Sequence, residues 1–120
     1  MSGTVVKVTS DFVSINGFTI QNSGDYPSSL ISLNSYGNNV TRNILRASGD
    51  RGIEVNFMNN IISENDIRYT FYGILLLSSS FNNITLNYVS NAEYGTRSLQ
   101  HSPRIRLYIR GAIEKITTNL

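Results

Sequence analysis

Two tyrosines are the side chains with the clearest potential to bind a ligand. The numbers of Tyr72 and Tyr94 differ by 22, and each stands directly before a glycine, Gly73 or Gly95. If equivalent positions stack, the two rings lie side by side, where exposed tyrosine rings can pack on the apolar faces of sugars while their hydroxyls form hydrogen bonds. The alternative is that both rings only shield the backbone around the glycines, since aromatic residues commonly cover sheet edges. Shielding is the favoured interpretation, and glycan binding stays open beside it.

One carboxylate and one cation fall near these tyrosines in the same pattern. Glu54 and Arg97 share a repeating outward position with Ser32 and Leu75, so both could supply polar contacts to a bound sugar. This column contains no acidic pair, whereas enzymes that cleave glycosidic bonds use two carboxylates. The sequence therefore favours binding over catalysis and identifies no catalytic residue. The candidates for ligand binding are Tyr72, Tyr94, Glu54 and Arg97.

The composition excludes several other functions. The 120-residue chain has no Cys and therefore no disulfide framework or thiolate metal site. No apolar run approaches the roughly 18 to 20 residues of a membrane-spanning helix, and the start of the chain lacks the features of a signal peptide. Arg46, Arg68 and a basic C-terminal segment could attract an anion or a nucleic acid, but a solvated charged face is the favoured interpretation. We therefore expect no nucleic-acid partner.

A repeat of about 22 residues must position these side chains, and repeats decide the fold before any other feature. One unit cannot bury its own apolar face, so successive units must stack on one another. The columns that keep this step are Asn43, Asn65 and Asn87; Leu45, Ile67 and Val89; Gly52, Gly73 and Gly95; and the Asn pairs 38–39, 59–60 and 82–83.

Each unit contains three short stretches in which polar and apolar residues alternate. In one unit they are Val40–Arg42, Ile44–Arg46 and Ile53–Val55. Such alternation indicates β-strands, because successive side chains of a strand point to opposite faces. Three short strands per unit is the geometry of a parallel β-helix. We predict an all-β solenoid of about four to five coils.

The asparagine and glycine columns have structural explanations in such a solenoid. We expect Asn43, Asn65 and Asn87 to occupy the bends between strands, because Asn tolerates left-handed backbone angles. Their stacked amides can also hydrogen-bond from coil to coil, so they are predicted to form a structural ladder. The glycine column is expected to serve a second turn, just before the third strand of each unit.

Both ends of the chain depart from the regular repeat. The segment from Val13 to Phe18 is matched to the one beginning at Val40 with an offset of 27, and the extra length is assigned to an inserted loop at about 23–29. Towards the C-terminus, Ile109 falls one full repeat step after Asn87, and basic residues accumulate. We predict β-helix repeats over residues 1–99 and a degenerate last coil with a basic tail over residues 100–120.

The runs at 38–44, 60–67, 72–76 and 13–20 resemble the repeat of NosD-like proteins. These are right-handed parallel β-helix proteins of the pectin-lyase-like superfamily, and archaeal surface proteins carry similar repeats. The resemblance covers about residues 4–99 and implies a right-handed coil in a fragment or shortened member of the family. It also implies an extracellular, cell-surface or periplasmic location. Because the matching positions are those that build the coil, the resemblance is specific for fold rather than function.

The family name also raises copper binding, which requires His, Met or Cys ligands. The chain offers His101, Met1 and Met58, and these are too scattered in sequence to indicate a site. We therefore predict no metal site and no cofactor.

The function expected from the sequence is that of a non-catalytic structural or carbohydrate-interacting repeat module of a cell-surface or secreted protein. The alternative is the remnant of a polysaccharide lyase, hydrolase or epimerase whose acidic residues lay in missing coils. A polysaccharide or glycan is the expected partner. Uncapped terminal coils expose strand edges, which also favours self-association or the docking of further coils.

Overall fold

The computed structural model describes residues 3–77, 81–98, 107–110 and 113–116, and its regular elements there are all β-strands. The bounds of the strands are β1 Val6–Val8, β2 Ser14–Asn16, β3 Thr19–Ser23, β4 Ser29–Leu33, β5 Asn39–Thr41, β6 Ile44–Ser48, β7 Arg51–Val55, β8 Ile61–Ser63, β9 Asp66–Leu76, β10 Asn82–Thr85, β11 Tyr88–Ser98, β12 Leu107–Arg110 and β13 Ile113–Ile116.

The strands pair in parallel and form three faces of one solenoid. Face 1 is the sheet of β2, β5, β8, β10 and β12. The larger sheet forms the other two faces, because β9 pairs with β6 through residues 66–68 and with β7 through residues 72–76. Face 2 therefore contains β3, β6 and the first halves of β9 and β11. Face 3 contains β1, β4, β7 and the second halves of β9 and β11. This arrangement confirms the prediction of a parallel β-helix, with about four coils.

The step in residue number between paired coils is shorter in the middle of the chain than near its ends. Val40 pairs with Ile62 and Ile62 with Ile84, a step of 22 each time, whereas Ile15 pairs with Val40, a step of 25. The predicted offset of 27 was therefore wrong by two residues. Ser23 pairs with Ser48, while Ser29 pairs with Arg51, so residues 24–28 contain three extra residues relative to the next coil.

A similar correction applies to the last coil. Ile109 pairs with Ile84, a step of 25 in residue number, so its backbone is in register with that isoleucine and not with Asn87. The repeat step from Asn87 to Ile109 that the sequence indicated was therefore wrong. The described backbone of this coil nevertheless continues the stack, because β12 pairs with β10 and β13 pairs with β11.

Inward apolar side chains form continuous rows along the solenoid. Every residue of these rows is at most 8% exposed, and the members of each row are paired in register. Since each coil covers the apolar atoms of the next, the core exists only through stacking. The rows are Ile15, Val40, Ile62 and Ile84 on face 1, and Ile20, Leu45, Ile67 and Val89 on face 2.

Each complete coil turns its corners with residues of positive φ, and these residues form three columns. Arg42, Glu64 and Leu86 are such residues, with φ of 53°, 56° and 57°. Each directly precedes a ladder asparagine, so the asparagine itself is not the left-handed residue, contrary to our expectation. The full columns are Phe12, Gly37, Asn59 and Phe81; Gly17, Arg42, Glu64 and Leu86; and Asn22, Ala47, Tyr69 and Asn91.

The asparagines after these corners are buried and bonded to one another across the coils. The Oδ1 atom of Asn65 accepts hydrogen bonds at 3.0 Å from both the backbone N–H and the side-chain amide of Asn43. The amide of Asn65 in turn donates to Asn87 Oδ1 and to the carbonyl of Val40, at 2.9 Å each. All three asparagines are 1% exposed. Each side chain therefore satisfies buried polar groups of its neighbouring coils.

A second ladder lies at the preceding corner of three successive coils. Asn38 donates its backbone N–H to Asn60 Oδ1, and Asn60 donates its own to Asn82 Oδ1, at 2.9 Å in both cases. The three Asn pairs of the sequence indicated this corner, but they did not indicate which member of each pair is buried. The buried column uses the first member of the pairs 38–39 and 82–83 and the second member of the pair 59–60.

The glycine column serves close packing rather than a turn. Gly52, Gly73 and Gly95 lie inside β7, β9 and β11. A Cβ atom on Gly73 would lie 2.6 Å from the carbonyl oxygen of Gly95 and 2.6 Å from a methyl group of Val89. Real Cβ atoms do not approach other atoms so closely, and the same holds at Gly52, whose Cβ would lie 2.5 Å from the carbonyl oxygen of Gly73. Glycine is required here because adjacent coils touch.

One end of the solenoid has unpaired strand edges. Among the described residues, β1 pairs with β4, β2 with β5 and β3 with β6, each on one side. Unpaired edges template the addition of another strand. Self-association or docking of further coils through such ends stays a prediction.

Replacing Asn65 with Ala tests the ladder. We expect the free energy of unfolding to fall by about 1 to 3 kcal/mol, because the backbone and side-chain amides of Asn43 and the carbonyl of Val40 lose their partner inside the protein. Urea unfolding followed by circular dichroism measures this change. The matched control is Asn16→Ala. Asn16 is an exposed residue of β2, so its replacement should change stability by less than about 0.5 kcal/mol. Equal midpoints for the two variants would contradict the ladder.

Replacing Gly73 with Ala tests the packing explanation of the glycine column. The added methyl group must displace the Gly95 carbonyl or Val89, so we expect a loss of about 1 to 3 kcal/mol in the same urea measurement. If no atom packed against this position, Ala would instead be neutral or stabilising, because Gly73 does not have a positive φ and Ala can adopt its backbone conformation. The control is Ser63→Ala on the outer side of face 1, for which no such contact is expected.

Candidate functional site

An aromatic cluster lies on the outside of the solenoid where face 2 meets face 3. Tyr72 and Tyr94 pair in register, and their rings are stacked, with centroids 5.1 Å apart and planes inclined by 19°. Phe71 packs edge-on against both rings at 4.8 and 5.5 Å, and its side chain is 41% exposed. The guanidinium of Arg97 lies 4.4 Å from the centroid of Tyr94. This stack and its cation form a surface on which a flat apolar ligand face can pack.

A groove of about 540 Å³ begins at this cluster. Its apolar lining comes from Leu75 and Leu77 together with the rings of Phe71 and Tyr72. Tyr26, which belongs to the three-residue insertion and is 75% exposed, lines the groove as well. The volume lies within the range of small-molecule and sugar sites, about 300 to 1,000 Å³.

Asp50 and Arg51 supply the charged lining of the groove, and Glu54 lies beside them. Arg51 Nε lies 2.8 Å from Asp50 Oδ2, and Arg51 Nη1 lies 3.3 Å from Glu54 Oε1. The three side chains are only 12%, 5% and 15% exposed, respectively. The contact between Asp50 and Arg51 is an ion pair without well-aligned hydrogen-bond geometry, and the same two atoms make no other hydrogen bond within the described part of the chain. Two carboxylates therefore surround one guanidinium.

The carboxylate of Glu54 is held by neutral donors in addition to Arg51. Ser29 Oγ donates to Glu54 Oε1, and Asn56 Nδ2 donates to Glu54 Oε2, at 2.9 Å each. Burial by itself raises the pKa of Glu54, but the hydrogen bonds from Asn56 and Ser29 and the charge of Arg51 outweigh it, so the pKa of Glu54 lies below its ordinary value. Both carboxylate oxygens are committed to internal partners.

Asp50 has the opposite balance. Burial raises the pKa of Asp50 above its ordinary value, the charge of Arg51 offsets only part of this rise, and the charge of Glu54 adds to it. Its backbone carbonyl accepts hydrogen bonds from the N–H groups of Phe71 and Tyr72, at 2.9 and 2.8 Å. Asp50 therefore joins the charged group to the strand that carries the aromatic cluster.

The four ligand-binding candidates from the sequence do not all lie together. Tyr72, Tyr94 and Arg97 form one contiguous surface. Glu54 and Arg97 share a column, but Leu75 lies between them, so two coil spacings, about 9 to 10 Å, separate their positions. Since Glu54 is also engaged by Ser29 and Asn56, it acts as a partner of Arg51 rather than as a free ligand contact.

Sequence reasoning missed Tyr26, Asp50, Arg51 and Phe71. A signal existed for Arg51, because it pairs with Tyr72 and, like both tyrosines, directly precedes a column glycine. Asp50 and Phe71 stand one position earlier in the same two coils. Tyr26 had no periodic signal, because it belongs to the insertion that breaks the repeat.

The fold and this groove define a parallel β-helix protein with a polar and aromatic site on its outer surface. Over residues 1–109 the chain matches the model of a family described as periplasmic copper-binding protein (NosD), and it belongs to that family. No curated protein and no solved structure matches it significantly. Within the described residues, no helix is long and apolar enough to cross a membrane.

The family description raises copper, so the described residues must be tested as ligands. Copper sites in proteins draw chiefly on His, Cys and Met. The described residues include no His or Cys, and Met58 is 39% exposed; no group of three or more His, Cys, Asp or Glu side chains converges among them. His101 and Met1 lie outside the described residues. The described part of the chain therefore does not fit a copper centre.

Acidification tests the electrostatics of the charged group. The stability contributed by ionised Glu54 is complete above its unfolded-state pKa and is lost as the pH falls through its lowered folded-state pKa. The parent should therefore lose stability as the pH falls below about 6 and on through the lowered pKa of Glu54, and Glu54→Gln should lose less over the same range. Urea unfolding at a series of pH values measures both slopes.

Asp50→Asn provides the opposite control in the same titration. Because the folded-state pKa of Asp50 is raised, the native state takes up its proton first and gains stability on acidification. Removing this group should make the acid-induced loss steeper than in the parent. Parallel slopes for the parent and both variants would contradict the described charge group.

Proposed function

We propose that this chain is a non-catalytic, carbohydrate-interacting β-helix module that works outside the cytoplasm, in the periplasm or at the cell surface. The observation that carries the proposal is the stacked pair Tyr72 and Tyr94, with Arg97 over its outer ring, at the margin of a groove. Aromatic rings with adjacent hydrogen-bonding groups are the chemistry that recognises sugars, whose ring faces are apolar and whose edges carry hydroxyls. The family description of a periplasmic protein supports the location.

The state of the carboxylates supports binding rather than glycoside cleavage. A general acid or base must come within hydrogen-bond reach of the reacting atoms. Asp50 is buried, Glu54 is 15% exposed, and both face Arg51, while Glu54 has further partners on each oxygen. The described carboxylates therefore favour ligand binding over glycoside cleavage at this groove.

The competing explanation is that Tyr72 and Tyr94 only shield the backbone around the glycines. The exposed side chain of Phe71 distinguishes shielding from ligand binding. A shield should cover apolar atoms and leave little aromatic surface in water. Here a third ring, 41% exposed, extends the cluster towards the groove. Exposed aromatic surface at the margin of a groove is more consistent with ligand contact.

Tyr72→Ala tests this function. We expect the variant to lose retention in affinity electrophoresis through gels that contain soluble polysaccharides, neutral in one set and acidic in another, because the sugar-stacking ring is gone. Its circular dichroism should match that of the parent. The control is Tyr36→Ala, which removes a 42% exposed tyrosine that packs on Phe57 away from the groove. Equal retention of the parent and Tyr72→Ala in every gel would disprove the proposal.

A further inference from the structure

The three-residue insertion in the first complete coil places a second aromatic wall at the groove. Tyr26 is 75% exposed, yet the guanidinium carbon of Arg51 lies 5.5 Å from the centroid of its ring. Tyr26, Arg51 and Tyr72 all line the same groove. The cation–π contact with Arg51 holds the exposed Tyr26 ring at the groove, where its remaining surface is open to a ligand.

The two aromatic walls belong to different coils. Ser29, close to Tyr26 in the chain, pairs with Arg51, and Arg51 pairs with Tyr72, so the three groups occupy successive coils. Arg51, on the middle coil, lines the groove and is only 12% exposed. The groove of about 540 Å³ that these side chains line is large enough for one sugar ring.

The charges at the groove select against an acidic sugar at this position. The single positive charge of Arg51 lies beside two carboxylates, Asp50 and Glu54, so these three side chains have a net charge of −1 when all are ionised. A sugar carboxylate brought beside it would meet like charge in a poorly hydrated place. Arg97, which could attract an anion, lies over Tyr94 one coil beyond Tyr72.

We propose that the groove binds one ring of a neutral sugar between Tyr26 and Tyr72, with Arg51 donating hydrogen bonds to its oxygens. Asp50 and Glu54 hold the guanidinium of Arg51 in place and make this position selective for uncharged sugar units. This inference rests on the proposed carbohydrate-binding function and specifies its sugar class and principal contacts. In this arrangement the rings of Tyr26 and Tyr72 make the main contacts with the sugar, and Tyr94 makes a secondary contact.

Calorimetric titration of the full chain with defined oligosaccharides tests the inference. The probes are neutral cello-, manno- and xylo-oligosaccharides and acidic oligogalacturonate. We expect at least one neutral series to bind more tightly than oligogalacturonate. Tyr26→Ala should weaken that binding about tenfold, whereas Tyr26→Phe, which keeps the ring, should stay within about threefold of the parent. Because Tyr26 is mostly exposed, both variants are expected to fold, and urea unfolding verifies this.

The alternative outcomes separate the two proposals. Two outcomes would overturn the binding of a neutral sugar between Tyr26 and Tyr72 while leaving the carbohydrate-binding function in place. One is that oligogalacturonate binds more tightly than the neutral series. The other is that neutral binding is lost in Tyr72→Ala but unchanged in Tyr26→Ala. Absence of binding to all probes, combined with unaltered retention of Tyr72→Ala in the polysaccharide gels, would overturn both.

Discussion

The structure depends on hydrogen bonds between buried asparagines and the backbone at two of the three corners of its middle coils. A coil with three faces must turn three times, and in the complete coils that the structure describes each turn uses a residue with positive φ, in most cases one with a side chain. Such conformations are unfavourable for L-residues by about 1 to 2 kcal/mol each. At two of the three corners an asparagine follows and accepts the N–H groups of the preceding coil, as Asn65 does for Asn43. Buried N–H groups without acceptors would add to the penalty, so the ladders make these turns tolerable.

The asparagine ladders and the apolar rows stabilise the stacked coils from the interior. The outward side chains can therefore differ from coil to coil. The column that contains Arg51, Tyr72 and Tyr94 illustrates this freedom. Its members share a backbone position before a glycine, but they differ in chemistry. The separation of the two tyrosine rings, 5.1 Å, is close to the spacing of neighbouring strands, about 4.8 Å. Stacking of outer aromatic rings is therefore a direct consequence of the register that the interior imposes.

The repeat made the fold predictable, but the local roles of its residues less so. Asn43, Asn65 and Asn87 revealed a stacked position, since an identical residue that recurs at a fixed step is typical of stacked coils. Which residue adopts the left-handed conformation could not be read from that column, because the preceding positions, Arg42, Glu64 and Leu86, share no side-chain chemistry. Likewise, a glycine column indicates a missing side chain without telling a turn from a close contact. Only the packing of Gly73 against Gly95 separates the two.

The groove was the least predictable feature, because it arises where the repeat is broken. Three extra residues between Ser23 and Ser29 bring Tyr26 over Arg51, and no periodic pattern marks a residue that occurs in one coil alone. Equivalent coils without the insertion would present a flat outer surface with one row of side chains per strand. A site with two opposed walls needs chain length that the regular coil does not contain. In a solenoid whose interior must repeat, an insertion is therefore the place where a second wall can be added beside a regular column such as that of Tyr72 and Tyr94, and Tyr26 is the side chain that this insertion supplies.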